Sequence, residues 1–145
     1  MKLPEYVTIE EVQRVCGEMG LQDWTVIGES PVTYEEAAII LKIANTEGMD
    51  IPVETFRMGL EVELEHGIRF KDANVTNNHP VLTGKIVLAH LKETMDYYHR
   101  LDVAEMEGDL LKAISSGDIA KAQVKYKKII SAQQSLNRAV EERLK

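Results

Sequence analysis

The feature that most constrains this chain is a series of helix-start and helix-stop signals with no strand pattern between them. Thr8 and Thr33 each precede a glutamate by three residues, and this spacing is typical of a capping box at a helix N-terminus. Gly20 and Gly48 follow the apolar runs that the two threonines open, as glycine often does where a helix ends. β-Branched residues do not form the alternating runs that are typical of strands. The sequence therefore predicts an all-α fold.

Further signals of the same kind predict five helices in all. They cover residues 9–19, 33–48, 50–66, 80 to at least 101, and 119–144. The fourth helix can bend near Gly108 and continue to Ile114, and residues 115–118 then break the chain. We therefore expect a compact helical domain over residues 5–101, followed by a C-terminal helical hairpin over residues 102–145.

The last predicted helix carries a heptad-like series: Ile119, Ala122, Tyr126, Ile129, Gln133, Leu136 and Val140. This spacing packs one helix along a neighbour. The segment before the break offers a matching series: Val103, Met106, Leu110 and Ile114. We expect the two series to pack within the chain as an antiparallel hairpin. Because small and polar residues interrupt the seam, an unknown protein partner or a second copy could also use residues 102–145.

The charge of the chain excludes several classes of partner. Lys and Arg number 17 and Asp and Glu number 24, which gives a net charge of −7 at pH 7. A net acidic surface argues against non-specific binding of nucleic acids or anionic membranes, because both need a positive field. No apolar run approaches the roughly 18 residues of a membrane span, and the N-terminal residues lack the apolar core of a signal peptide. We therefore expect a cytoplasmic protein with neither nucleic-acid nor membrane partners.

Two short segments carry carboxylate and imidazole groups at helical spacing, in opposite order along the chain. Glu63 and His66 form a Glu-x-x-His pair, and His90 and Glu93 form a His-x-x-Glu pair. Residues three apart on a helix point the same way, and helical bundles present ligands to iron, manganese or zinc in this arrangement. The two pairs could fill four positions around one divalent metal ion, with Tyr97 hydrogen-bonding a ligand from outside. A single ion of Zn, Mn or Fe is the expected cofactor.

A helical wheel with about 100° per residue places these groups among apolar side chains. Glu63 falls in the apolar sector of the third helix, whereas Glu61 and Glu65 fall on its polar side. His90 and Glu93 point where the apolar residues of the fourth helix point. An unpaired carboxylate there costs several kcal/mol, so it must find a partner or take up a proton. We therefore expect the acidic and imidazole groups to meet in the protein interior.

The same four residues fit a second hypothesis that needs no metal. Glu63 could pair with His90, and His66 with Glu93, through buried charge-assisted hydrogen bonds. The chain would then be a non-enzymatic interaction module that acts through its C-terminal hairpin or its acidic surface. A third hypothesis is a metal-dependent hydrolase or oxidase with Tyr97 near the metal. The sequence contains no phosphate loop, nucleophile elbow or Cys-x-x-Cys, so it identifies neither a reaction nor catalytic residues.

A series of short motifs runs through the third and fourth predicted helices. The motifs are Phe56-Arg-Met-Gly-Leu-Glu-Val-Glu63-Leu-Glu-His66-Gly67, Asn74-Val-Thr-Asn77, Lys85-Ile86, Ala89-His90-Leu-Lys-Glu93 and Tyr97-Tyr98. In this order they resemble an uncharacterised family of small bacterial and phage helical proteins, defined only as a domain of unknown function. The resemblance covers about residues 53–101 and implies a helical fold without an established activity. The family pattern favours an acidic residue at the position of His79.

Overall fold

A computed structural model describes residues 6–27 and 31–145, so residue 5, where the predicted domain begins, lies outside the described residues. Over the described residues there are six α-helices and no strand, which confirms the all-α prediction. The helices are α1 (Ile9–Met19), α2 (Tyr34–Ala44), α3 (Val53–Arg69), α4 (Pro80–Glu93), α5 (Tyr97–Ser115) and α6 (Ile119–Arg143). The chain divides between Lys92 and Glu93 into two compact units. Within this described part, no helix has the length and apolar content needed to cross a bilayer.

Threonine caps begin the first two helices, as the sequence predicts. The Thr8 hydroxyl accepts a hydrogen bond of 3.2 Å from the backbone N–H of Glu11. At α2 the capping box is complete, because the backbone N–H of Glu36 donates to the Thr33 hydroxyl at 3.1 Å and the Glu36 carboxylate accepts the Thr33 N–H at 3.0 Å. Both helix starts therefore follow from residues that lie within one turn of each other.

The second helix ends at Ala44, four residues before the glycine that the sequence marks as its stop. The Asn45 side chain bonds the backbone of Met49 in both directions, donating to its carbonyl at 2.8 Å and accepting its N–H at 3.0 Å. Such local side-chain bonding offers the backbone an alternative to further helical turns. Gly48 lies in the turn that follows, with a φ of 69°.

The third helix continues through Gly67, where the sequence predicts its end, and stops at Arg69. Gly67 is a point of close approach instead of a helix stop. A Cβ atom there would collide with Oδ1 of Asn78 and lie 2.9 Å from Nδ2 of Asn74, so only glycine leaves room for these two side chains. The prediction for this helix end is therefore wrong, because a packing requirement resembles a stop signal in the sequence.

The long fourth helix that the sequence predicts is broken after Glu93. The helix α4 ends there, and α5 begins at Tyr97. In the turn between them, the Asp96 carboxylate accepts hydrogen bonds from the Thr94 hydroxyl and from the Arg100 guanidinium. Side-chain bonding of this kind competes with a continuous helical backbone, and apolar periodicity does not reveal it.

The core of the first unit is built from the apolar faces of its helices and from Trp24, which lies in the turn after α1. The fully buried side chains include Val12, Trp24, Ile40, Phe56, Leu60 and Val87. Gly84 lets α4 come close to this core, since a Cβ atom there would lie 2.8 Å from Cγ2 of Ile40 and 3.1 Å from Cζ of Phe56. Because protein interiors pack densely, this close approach fixes the position of α4, and of His90 upon it, relative to α3.

The second unit contains the predicted C-terminal hairpin, in which α5 and α6 pack closely against each other. Gly117 turns the chain with a φ of 71°. Asp118 then caps α6, because its side chain accepts the backbone N–H of Lys121 at 2.9 Å. Further along the hairpin, the Lys125 ammonium lies 2.5 Å from the Asp109 carboxylate. Turn, cap and ion pair together confirm that the chain ends in a helical hairpin.

Candidate functional site

Glu63 of α3 lies between two imidazoles. Its Oε1 atom is 3.4 Å from Nε2 of His90, on α4, and its Oε2 atom is 3.9 Å from Nδ1 of His66, one turn further along α3. Only 14 % of the Glu63 side chain is exposed. The structure therefore brings three of the four predicted ligands together around one carboxylate.

Helical periodicity separates Glu63 from its two acidic neighbours. Glu65 is exposed, and Glu61 accepts a hydrogen bond of 2.6 Å from Arg57 on the polar side of α3. Glu63 follows the buried Leu60 by three residues, so the two side chains point in similar directions. The prediction that only the middle of the three glutamates points inwards is confirmed.

A cleft of about 280 Å³ opens beside the Glu63 carboxylate and the His66 imidazole. The end of α3, the loop that follows it and part of α4 form its walls. Three partly exposed apolar side chains contribute to the lining, namely Phe70, Val75 and Ile86. This cavity, which we call the Glu63 cleft, combines one shielded carboxylate with apolar surface that solvent can reach.

Asparagine side chains hold the loop that forms one wall of the Glu63 cleft. Asn74 donates its Nδ2 to the Gly67 carbonyl at 3.1 Å and to Oδ1 of Asn78 at 2.7 Å. Its Oδ1 accepts the backbone N–H of Thr76 at 3.2 Å. Asn77 and Asn78 have positive φ angles of 47° and 62°, which asparagine tolerates better than most residues. Helical periodicity misses these residues, and the adjacent asparagines are the signal that could have found this turn.

The remaining candidate residues lie elsewhere. Glu93 is exposed, so the prediction that it points inwards is wrong. At about 100° per residue it lies roughly 150° from the face that α4 buries, which contains Val87 and Leu91. Tyr97 begins α5 in the second unit, where its ring meets that of Tyr98 edge-on at 5.2 Å. The Nδ1 atom of His79 accepts the backbone N–H of Leu82 at 3.4 Å, and burial lowers the pKa of His79. A ligand role for Glu93 and a supporting role for Tyr97 stay predictions.

The metal centre also stays a prediction. Among residues 6–27 and 31–145, no group of three or more His, Cys, Asp or Glu side chains is arranged to hold a metal ion. The side chains of His66 and His90 are 40 % and 29 % exposed, so they do not lie in the dry interior that the wheel predicts. Glu63 approaches His90, which is one of the two pairs that the metal-free hypothesis predicts. His66 approaches Glu63 in place of its predicted partner Glu93.

The whole net charge of the chain belongs to the first unit. Residues 1–92 contain 8 Lys and Arg against 15 Asp and Glu, a net charge of −7. Residues 93–145 contain 9 residues of each sign and have no net charge. The Glu63 cleft therefore lies in a strongly acidic unit, whereas the second unit is neutral.

Comparison with known proteins identifies a family. No curated protein and no solved structure matches the chain. A family of proteins of unknown function, DUF5661, matches residues 12–107. The match contains all the motifs of the third and fourth predicted helices and extends further toward the N-terminus, while most of the hairpin lies outside it. The chain therefore belongs to the DUF5661 family, a family of unknown function.

Proposed function

We propose that this protein is a non-enzymatic interaction module that binds a lysine or arginine side chain of a partner protein in the Glu63 cleft. The observation that carries the proposal is the largely buried Glu63 carboxylate in the lining of a cleft that solvent can enter. Three properties of the cleft favour such a ligand, and they are its charge, its lining and its size.

The first property is charge. The Glu63 carboxylate lies in a unit with a net charge of −7. A field of that sign attracts cations and repels anions, within a range of about 8–10 Å at physiological salt. Because only 14 % of the side chain is exposed, water screens its attraction for an ammonium or guanidinium group less than at an open surface. The cleft therefore favours a cationic ligand.

The second property is the apolar lining beside the carboxylate. Lys and Arg carry a charged head on a methylene stem, and the stem packs against apolar surface while the head reaches a polar partner. Phe70, Val75 and Ile86 supply such surface. The Phe70 ring packs against a cation in this structure, because the Arg69 guanidinium lies 5.2 Å from its centroid. A bare metal ion would make no use of these three side chains.

The third property is size. The volume of about 280 Å³ lies just below the roughly 300–1,000 Å³ of pockets that enclose a drug-sized molecule. One amino-acid side chain fits into such a space. Val75 is 82 % exposed beside the cleft and offers contact area to the rest of a partner. These observations favour a side chain of a protein over a free metabolite.

A divalent metal ion is the competing ligand. The distance of 3.4 Å between Oε1 of Glu63 and Nε2 of His90 is close to the roughly 3.3 Å that separates two ligand atoms of a tetrahedral zinc ion. His66 could supply a third ligand after a rotation of its side chain. This geometry supports the hypothesis of a single Zn, Mn or Fe ion, so the experiment includes zinc.

The proposal is tested by an NMR titration of the isotope-labelled full chain with N-acetyl-lysine amide, which is acetylated on its α-nitrogen and keeps a charged side-chain ammonium. N-acetyl-norleucine amide serves as an uncharged control of similar shape. For a ligand of about 13 non-hydrogen atoms we expect a dissociation constant of roughly 1–10 mM. The backbone signals of Gly67, Thr76 and Thr83, which line the cleft, should shift with the lysine compound and stay in place with the norleucine compound.

Two outcomes would overturn the proposal. One is a set of equal shifts with both compounds, or no shifts with either, because the carboxylate would then not select a cation. The other comes from a separate titration with zinc chloride. Tight one-to-one binding of zinc that shifts the ring signals of His66 and His90 would establish the metal site in place of the side-chain site.

A further inference from the structure

The second unit exposes a group of apolar side chains that its own two helices leave uncovered. The group consists of Ile114 on α5 and of Ile119, Tyr126 and Ile130 on α6, which are between 43 % and 65 % exposed. The prediction that Ile114, Ile119 and Tyr126 pack in the seam of the hairpin is therefore wrong. We call these four residues the hairpin stripe. Apolar residues scattered singly on a surface need no partner, whereas a contiguous patch marks an interaction site.

All members of the hairpin stripe lie on one face of the hairpin. We count angles about each helix axis toward its C-terminus, with about 100° per residue. The three α6 members then lie roughly 60–100° ahead of Ile129, which is buried. On α5, Ile114 falls about 100° ahead of the buried Ala113. The two helices are antiparallel. An equal rotation away from the seam, counted toward the C-terminus of each helix, therefore leads to the same face of the hairpin. The stripe is therefore one continuous surface that both helices share.

The opposite face of the hairpin is polar except for Val124, which is 54 % exposed. About 100° behind the same two buried residues lie Lys112 on α5 and Lys128 and Ser135 on α6, all of them exposed. The hairpin therefore has one apolar and one polar face in addition to the seam between its helices. This asymmetry is typical of a helical layer that packs on one side against further helices.

We propose that two copies of this chain associate through the hairpin stripe, so that α5 and α6 of both copies form a four-helix bundle. The charge of the second unit favours a second copy, because residues 93–145 contain 9 residues of each sign and do not repel an identical unit. The stripe runs over both helices, and a surface shared in this way can pack on itself across a two-fold axis. The seven-residue spacing of Ile119 and Tyr126 suits helix packing in a bundle.

The exposed apolar area is about half of the area that a standard interface buries on each partner. Four side chains exposed to this extent leave on the order of 400 Å² of apolar surface on each copy. A standard interface buries roughly 800 Å² per partner, and its fully buried core is only part of that area. Leu111, one turn before Ile114, is 65 % exposed and extends the patch.

The molar mass of the full chain, measured by light scattering after size exclusion, tests this proposal. We expect twice the chain mass of 16.4 kDa at micromolar concentrations. Tyr126→Lys places a charge in the middle of the hairpin stripe and should weaken the dimer by about 100-fold or more, giving a monomer. Ser135→Lys adds the same charge on the polar face and should leave the dimer intact.

Both positions are exposed on α6, so circular dichroism should show the same helix content in the two variants and in the wild type. A wild-type chain that stays monomeric up to millimolar concentration would overturn the proposal. A Tyr126→Lys variant that remains as dimeric as Ser135→Lys would overturn it equally, since the dimer would then use another surface.

Discussion

Replacing Phe56 by alanine should lower the free energy of unfolding by about 3–5 kcal/mol. Phe56 is fully buried on α3. The approach of α4 brings the Cβ position of Gly84 to 3.1 Å from Cζ of its ring. The surrounding side chains are held in place by their helices, so these side chains cannot move far enough to fill a cavity of ring size. Urea unfolding followed by circular dichroism measures the loss.

The matched control is Phe70→Ala, at the other phenylalanine of the chain. Phe70 is 47 % exposed, so its replacement should cost about 1 kcal/mol or less. The same variant should weaken the binding of N-acetyl-lysine amide, because Phe70 lines the Glu63 cleft. Equal losses of stability in the Phe56 and Phe70 variants would show that Phe56 is not a core residue.

The second large effect is expected at Asp96, whose side chain is only 1 % exposed. Hydrogen bonds from Arg100, assisted by the Thr94 hydroxyl, lower the pKa of Asp96 to about 2 despite its burial. Arg143, at the end of α6, adds an ion pair at 3.2 Å. The carboxylate therefore ties the start of α5 to the end of α6 within the second unit.

This lowered pKa makes the stability of the second unit depend on pH in the acid range. The folded-state pKa of about 2 lies below the ordinary value of 3.8. The ionised carboxylate therefore stabilises the fold above about pH 4, and this contribution is lost as the pH falls toward 2. Arg100 and Arg143 are 54 % and 50 % exposed. Because water screens their charges, we expect a contribution of about 1–2 kcal/mol.

Urea unfolding of the wild type and of Asp96→Asn, near pH 7 and near pH 2, measures this contribution. We expect the wild type to be more stable by about 1–2 kcal/mol near pH 7 and by much less near pH 2. Asp102→Asn removes an exposed carboxylate from the same helix and should change little at either pH. A stability difference that is the same at both pH values would exclude the ionised Asp96 as its source.

The local sequence is sufficient to predict where the first two helices begin, but it does not predict where other helices end. The cap at Thr33 depends on residues within one turn, so its pattern is visible in the sequence. The third helix passes Gly67, and Asn78 from the following loop packs against this glycine. Asp96, at the break before α5, contacts Arg143, which is distant in the sequence and lies at the end of α6. Such contacts depend on the folded chain and leave no periodic signal.

In the candidate site, too, the sequence predicts what depends on a single helix and misses what depends on contacts in the folded chain. The wheel predicts the inward direction of Glu63, because this depends on the helix alone, and the packing of α4 then supplies His90. The wheel misplaces Glu93 because its apolar sector includes Ile86, which is exposed in the structure, whereas α4 buries a different face. Asn74 and Val75 lie in a loop whose conformation has no period. The sequence therefore predicts the carboxylate and the imidazoles but not the cleft beside them.

The binding of a cation by Glu63 is tested by comparing the dissociation constants of N-acetyl-lysine amide for the wild type, Glu63→Gln and Glu65→Gln. Glutamine keeps the size of the side chain and removes its charge, and Glu65 is an exposed carboxylate on the same helix. Since a hydrogen bond to a charged group contributes about 1.5–3 kcal/mol, we expect Glu63→Gln to weaken binding by about 10-fold or more. Glu65→Gln should bind as the wild type does. Equal dissociation constants for all three proteins would contradict the proposal that the Glu63 carboxylate holds the cationic side chain.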